Sequence, residues 1–313
     1  VTETNPAEPK RAVVATTVPT GALTPRLTSE QAADLAARSG LRQSGSRPPL
    51  RLYIRSVWSR RSFVWNLSAS KAYTKNQGSY LGQAWNILRP TLDASVYVII
   101  FGFLLGARDG IENVVSFITV GTFAYSFIQK MIMSGVGSIP ANVMLVRSHR
   151  FPRAVVPLSA ILTEAVLFAP ALLVMAVISL LAGAPLRWTW LLLPVASLIL
   201  VAFGSGVGML FARLGARTPD IANIVPFFLS LGRWGAGVMF NPMKFIDPDG
   251  PWAPLVQYNP FTVFINLFRS CIGNEPSAQM SLGLWGLALG WAAVALVVGF
   301  VFFWRAEETY GRD

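Results

Sequence analysis

The sequence predicts an all-α integral membrane protein with six transmembrane helices, an N-terminal amphipathic interfacial helix and an extracellular re-entrant hairpin before the last span. Three observations predict it. Of the 313 residues 53% are apolar and only 13% are charged, a balance too greasy for a soluble domain. Six runs approach the roughly 20 apolar residues needed to cross ~30 Å of hydrocarbon at ~1.5 Å per residue: 91–106, 116–137, 157–182, 188–212, 221–240 and 281–304. Positive charge is concentrated ahead of the first run, where residues 1–89 carry 13 Lys and Arg against 4 Asp and Glu.

An even number of spans puts both termini on one side, and the positive-inside rule assigns that side to the cytoplasm. The net charge of +11 therefore reads as topology. No RNA or DNA motif accompanies it, so no nucleic-acid partner is expected. Cys271 is the single cysteine, which excludes an internal disulfide. The first 48 residues lack the 7–15 residue apolar core of a signal peptide.

Residues 1–48 are rich in Ala, Thr, Pro and Ser and read as a disordered cytoplasmic tail, with a short helical pattern from Thr28 to Arg38 closed by Gly40. Residues 49–89 read as an amphipathic interface helix and its lead-in. Leu50, Ile54, Val57, Trp58, Val64 and Trp65 recur at three- and four-residue steps among Arg51, Arg55, Arg60 and Arg61, a pattern that suits the headgroup layer. Residues 90–313 make the six-helix domain. Its outer loops, Arg108 to Asn113 and Gly183 to Arg187, are short, and the inner connection Arg213 to Asp220 again favours Arg. The inner loop 138–157 is the most basic: Arg147, His149, Arg150 and Arg153 stand in Asn142 to Ser159 with no acid. Region 241–280 opens polar and then turns apolar from Trp252 to Ile272, broken by Asn259-Pro260. Each half is too short to span and Pro260 removes a backbone donor, so a re-entrant hairpin buried in protein is expected.

Three separated motifs converge on one family. Tyr73 to Gly102 contains Ser79, Leu81, Gly82, Trp85, Pro90, Tyr97, Phe101 and Gly102 in an order that resembles the entry to the first span of type-2 ABC exporter permeases for polysaccharides, O-antigens and teichoic acids. Phe151-Pro152-Arg153 and Pro157-Leu158-Ser159 resemble that family's first cytoplasmic loop. Tyr258-Asn259-Pro260-Phe261-Thr262 followed by Arg269 is similar to its extracellular signature. The resemblance covers residues 50–304. The chain departs from it at Gly232-Arg233-Trp234-Gly235-Ala236-Gly237-Val238, where the family shows an apolar run, and at Arg217-Thr218-Pro219-Asp220, where adjacent Arg-Asp is usual.

The resemblance implies a homodimer that works with two nucleotide-binding ATPase subunits. No G-x-x-x-x-G-K-[ST] phosphate loop occurs in this chain, so ATP and Mg are expected on the partner and no cofactor here. By resemblance, Arg147, His149, Arg150, Phe151, Pro152 and Arg153 belong to the ATPase-coupling segment, and Pro152 and Pro157 stiffen its return. The same basic residues also satisfy positive-inside statistics. His149 is the sole histidine and has no partner pattern for a metal.

A sugar polymer needs aromatic faces and neutral hydrogen-bonders along its path. Tyr97, Phe101, Phe123 and Tyr125 are candidate channel residues, with Phe117 and Phe127 beside them. Trp252, Tyr258, Asn259, Pro260, Phe261 and Phe264 are candidates at the outer gate. Glu164 and Arg233 are ionisable groups inside spans, where exposure to lipid costs at least ~2.5–3.5 kcal/mol. Arg233 either meets a lipid diphosphate in the channel, pairs with Glu164, or snorkels.

The expected function is export of a polyprenyl-diphosphate-linked polysaccharide, with membrane lipids as surroundings. The 21 Arg against 5 Lys indicate a high-GC genome, and a cell-wall galactan is the specific expectation, with O-antigen or teichoic acid otherwise. The alternatives are a drug or lipid exporter of the same superfamily and a polytopic glycosyl- or acyltransferase. An enzyme of that kind needs a clustered acid, base or His at one membrane face, and the acids here are scattered.

Overall fold

The computed structural model describes residues 28–38, 48–105, 111–148, 151–244, 246–247, 250–273, 275, 278–308 and 310. Helices and turns account for all regular structure among them, in accord with the all-α expectation. The chain divides into Val1–Ser46 and Arg47–Asp313. Described residues of the first unit form α1 (Ser29–Arg38), which carries an exposed Arg38–Asp34 pair at 2.8 Å. The rest of the expected tail, 1–27 and 39–47, lies outside the described residues.

In the second unit the expected interface helix is two helices, α2 (Leu50–Ser59) and α3 (Arg61–Thr74), parted at Arg60. Trp58 and Trp65 point outward, while Val64, Ser68 and Ala72 are buried. Small residues let α3 lie close to α7 (Val155–Leu181): the Ser68 hydroxyl donates to the Ser159 carbonyl at 3.0 Å, and the Thr163 hydroxyl to the Ser68 carbonyl at 3.3 Å.

Five helical stretches among the described residues are long and apolar enough to cross a membrane: Gly82–Leu104, Val114–Ser138, Val155–Leu181, Trp188–Arg217 and Leu282–Arg305. The first joins α4 (Trp85–Tyr97) to a π-helical Val98–Leu104. The second, α5 (Val114–Ser138), is buried for most of its length and forms the centre of the bundle. α6 (Val143–Ser148) is short, and α8 (Leu193–Arg217) follows a 3-10 turn at Trp188–Leu192.

The run expected to span at 221–240 is helical only over α9 (Ile221–Gly235). Fifteen residues rise ~22 Å, short of the hydrocarbon thickness. The reason is local: Gly232, Gly235 and Gly237 have low helix propensity, and Gly237 takes a φ of +71°, which ends the helix.

Broken helices also fill region 241–280. α10 (Ala253–Gln257) and α11 (Pro260–Ile272) are separated at Tyr258-Asn259, and α12 (Leu282–Arg305) follows. α11 is enclosed in the bundle, so its end groups need protein partners. The Asn259 side chain accepts from the Phe261 N–H at 2.9 Å, and the Trp291 indole donates to the Tyr258 carbonyl at 3.0 Å. At the other end Thr189 and Trp190 donate to the carbonyls of Cys271 (2.6 Å) and Ile272 (3.0 Å). Arg269, buried on the same helix, donates to the carbonyls of Phe117, Gly237 and Val238 at 3.1, 2.9 and 3.0 Å.

The long spans pack through glycine. A side chain at Gly135 would run into the backbone of Gly208, one at Gly206 into Ala295 and Leu296, and one at Gly299 into Gly206. Backbones of α5, α8 and α12 thus touch directly, which is how helices gain dispersion energy where lipid removes the hydrophobic drive.

Glu164 does not pair with Arg233. It lies on the face of α7 turned toward α3 and α5, where Lys75 reaches its Oε1 at 2.6 Å and the Ser134 hydroxyl donates to the same oxygen at 2.7 Å. Lys71 adds a bond to Asn142 at 3.4 Å. The end of α3 is thereby tied to α7 and to the turn that follows α5.

Four outcomes follow from these contacts. Gly206→Leu overpacks the α8–α12 contact and lowers stability by roughly 1–3 kcal/mol. Gly286→Leu, where nothing lies within 4 Å, leaves the thermal transition of the detergent-solubilised protein in place. Lys75→Met strands the Glu164 carboxylate and costs about 2 kcal/mol, reduced from a fully buried pair because Lys75 is partly exposed. The Lys75→Met/Glu164→Gln double variant recovers most of that loss in the same melting measurement.

Candidate functional site

Two places concentrate polar chemistry in the second unit. The first is the end of the bundle where α2, the α5–α7 connection and the end of α12 meet. Pro140–Asn142 forms a 3-10 turn that leads into α6. Arg147 lies in the last turn of α6, while His149 and Arg150 lie outside the described residues. Phe151 is half-buried, its ring 6.3 Å from that of Phe63. Pro152 and Arg153 accept the first turn of α7: the Val155 N–H donates to the Pro152 carbonyl and the Val156 N–H to the Arg153 carbonyl, both at 3.1 Å.

The partner of Arg153 is a residue that sequence reasoning missed. Glu307, just past α12, accepts from the Arg153 backbone N–H on Oε1 at 2.9 Å, and its carbonyl accepts from the Arg153 guanidinium. Its Oε2 accepts from the buried Tyr53 hydroxyl at 2.7 Å, and that hydroxyl in turn accepts from the Ala154 N–H at 3.0 Å. Ile139, Val146, Val156, Met209, Ala212 and Phe303 form the apolar sheath. Burial pushes the Glu307 carboxyl above the usual carboxylate range, opposed by its hydrogen bonds and by Arg153. Burial also raises the Tyr53 hydroxyl, so it stays protonated and donates.

The second place lies between α4, α5 and α9. The Arg233 guanidinium donates to the Tyr97 hydroxyl at 3.1 Å and to Gln129 Oε1 at 2.8 Å, and sits 3.9 Å from Asp93. It also stands over the rings of Tyr97 and Tyr125, 5.9 and 5.4 Å from their centroids. The Arg233 side chain is 14% exposed and that of Asp93 50%. Neighbouring rings extend the cluster: Phe101 meets Trp234 and Phe240 at 6.1 and 6.4 Å, and Tyr125 meets Phe261 at 5.7 Å.

Tyr97, Phe101, Tyr125, Arg233 and Phe261 are thus brought together, although sequence reasoning had split them between channel and gate. Phe123 is not in the group. It is buried and lines a small internal cavity with Phe127, Phe168 and Pro90. Phe117 lies under Arg269, whose Cζ is 3.3 Å from its centroid. At the expected gate Trp252 and Tyr258 are 67% and 52% exposed, and Asn259 and Pro260 cap the start of α11. Asp93 was missed altogether, because a lone acid in the first span has no visible partner until α9 is folded against α4. Among the described residues no group of His, Cys, Asp or Glu is placed to hold a metal.

Comparison with known proteins agrees with this architecture. A family model described as ABC-2 type transporter matches residues 71–272. An "O-antigen export system permease protein RfbA" of Myxococcus xanthus is 26% identical over 259 residues, covering 82% of this chain and 96% of that protein. A protein of the same name from Klebsiella pneumoniae is 26% identical over 200 residues, 63% of this chain and 75% of its own. The "Polysialic acid transport protein KpsM" of Escherichia coli is 24% identical over 237 residues, 73% of this chain and 87% of that protein. The matched region runs from the end of α3 through the last residue of α11, and so takes in the Arg233 cluster and the Arg153 leg of the first site, though not Tyr53 or Glu307: this chain belongs to the ABC-2 type transporter family.

Proposed function

We propose that two copies of this chain enclose a path for a polyprenyl-diphosphate-linked polysaccharide, driven by ATP and Mg on two separate ATPase subunits. The observation that carries this reading is the Asp93–Arg233 pair. Asp93 is half-exposed on a membrane-crossing helix where Leu92, Val96, Ile99 and Ile100 are also exposed, with Arg89 one turn before it and Ser95 beside it. Left against lipid, an ionised carboxylate costs ~2.5–3.5 kcal/mol or more, so this face needs water or a second protein surface. A water-lined seam between two copies supplies both. Tyr97, Phe101 and Trp234 beside the pair offer the aromatic faces along which sugar rings slide, and Arg233 is a point of contact for a diphosphate head.

In this reading α9 and residues 236–240 together make the fifth of six crossings, and both termini are cytoplasmic. α2 and α3 lie in the inner headgroup layer with Trp58 and Trp65 outward. α10 and α11 dip in from outside as the gate, with Trp252 and Tyr258 at its mouth. The segment 138–157 meets the ATPase. The relatives' names support polysaccharide as the cargo class, and the Arg-rich composition favours a galactan among the polymers.

The test is ATP turnover and export by the permease reconstituted with its ATPase, with galactan, O-antigen or teichoic-acid lipids supplied in turn. Galactan lipid is expected to change turnover most. Reversing Arg147 and Arg150 to Glu is expected to abolish that response, and failure of any ATPase to associate with the wild type would sink the assignment. Asp93→Leu is expected to cut export at least tenfold while the protein still inserts. Export by Asp93→Leu at the wild-type rate would show that this face meets only lipid.

A further inference from the structure

α7 begins without a cap of its own. Ala154 stands at its N-cap position and has no side chain to act as an acceptor. The Val155 and Val156 N–H groups go to the carbonyls of Pro152 and Arg153, which leaves the N–H groups of Arg153 and Ala154, at the entry to the helix, to find acceptors elsewhere in the chain. Glu307 Oε1 takes the Arg153 N–H, and the Tyr53 hydroxyl takes the Ala154 N–H while donating to Glu307 Oε2. The two residues are 254 positions apart, and Glu307 is 154 positions from Arg153. Four hydrogen bonds, counting that from the Arg153 guanidinium to the Glu307 carbonyl, close a ring through α2, the Phe151–Ala154 leg and the end of α12.

Two properties set this ring apart from a surface ion pair. It is sheathed by apolar groups, including the Phe300 ring at 5.7 Å from that of Tyr53, so water is a poor substitute and a broken bond leaves a polar group stranded. It also grips main chain at a helix start, where a carboxylate is favoured by the helix dipole. A side-chain-to-side-chain bond would yield through a rotamer change. A bond to the backbone of Arg153 and Ala154 yields only if α7 itself moves.

We propose that Glu307 is the positioning residue of the coupling movement: from the end of α12 it holds the backbone that leads into α7 and fastens it through Tyr53 to α2, so that a push on segment 138–157 moves the three helices as one body. The proposal rests on reading that segment as the ATPase contact. Glu307 touches neither cargo nor nucleotide and acts through α7. Without it, α6 and the loop can shift while α2 and α12 stay behind, and hydrolysis is spent without transport.

The experiment uses the full exporter complex in vesicles, in a Cys271→Ser background, with spin labels replacing the exposed Arg55 on α2 and Met144 on α6. Cargo exported per ATP hydrolysed and the label-to-label distance, with and without trapped ATP, are measured for the wild type, Glu307→Ala, Glu307→Gln and Tyr53→Phe. Glu307→Ala and Tyr53→Phe are expected to lower export per ATP about fivefold or more, a typical coupling magnitude. The label distance, unchanged by ATP in the wild type, is expected to become ATP-dependent in both. Glu307→Gln keeps an acceptor for Arg153 and restores part of the ratio. Tyr53→Phe removes a single oxygen and decides the matter if Glu307→Ala does not fold. Wild-type export per ATP in Tyr53→Phe and in whichever Glu307 variant folds overturns the proposal, as does a wild-type distance that changes with ATP. A wild type that couples alongside variants that couple equally well sinks the ring alone. A wild type that binds no ATPase sinks the reading of the segment, and the proposal with it.

Discussion

A buried arginine bears on the arrangement of half this molecule. Arg269 lies inside the bundle with its guanidinium flat on Phe117, and meets its donors' needs with carbonyl oxygens from α5 and from the chain beyond α9. A cation in such a place is tolerable only when it is fully hydrogen-bonded. The carbonyls of Gly237 and Val238 are free to accept because α9 has already ended at Gly235. The short α9 and the enclosed α11 are therefore one arrangement: helix ends that would be orphaned in hydrocarbon are each other's partners.

The same rule governs the rest of the interior. Trp291, Thr189 and Trp190 close the remaining ends around α11, and Gly121 lies against Arg269 and Val238 with no room for a side chain. Where helices are unbroken the constraint is of another kind, and Gly135, Gly206, Gly208 and Gly299 bring backbones into contact. The region around α11 is thus held by hydrogen bonds and the long spans by close packing.

At the opposite end of the chain's path, polar residues join segments that are distant in sequence. Lys75 fastens the residues after α3 to α7 through Glu164, and Glu307 fastens α7 to α2 and the end of α12. Glu164 is buried with its Oε1 held by Lys75 and Ser134, and Glu307 accepts on both carboxylate oxygens, so neither joint is a bare surface ion pair. In the Asp93–Arg233 cluster, by contrast, an acid within a crossing helix is left half-exposed. That contrast gives the α4–α9 face its special status.

Much of this was legible in the chain itself. Crossing helices are set by local hydropathy, since a run such as 281–304 has no other way to satisfy its backbone in hydrocarbon, and Leu282–Arg305 matches it closely. The motifs around Pro90, Phe151-Pro152-Arg153 and Asn259-Pro260 placed the chain in its family for the same reason, being short and contiguous. Where local chemistry was mixed, as from Gly232 to Gly237, the helix end went unseen although the glycines were in view. What only the tertiary structure decided is which polar group meets which. Glu164 chose Lys75 over Arg233, Arg153 met Glu307, and Asp93 came to face α9. Each pairing joins residues brought together by helix packing alone, and a charge in a sequence announces that it needs a partner without saying which way its helix will turn.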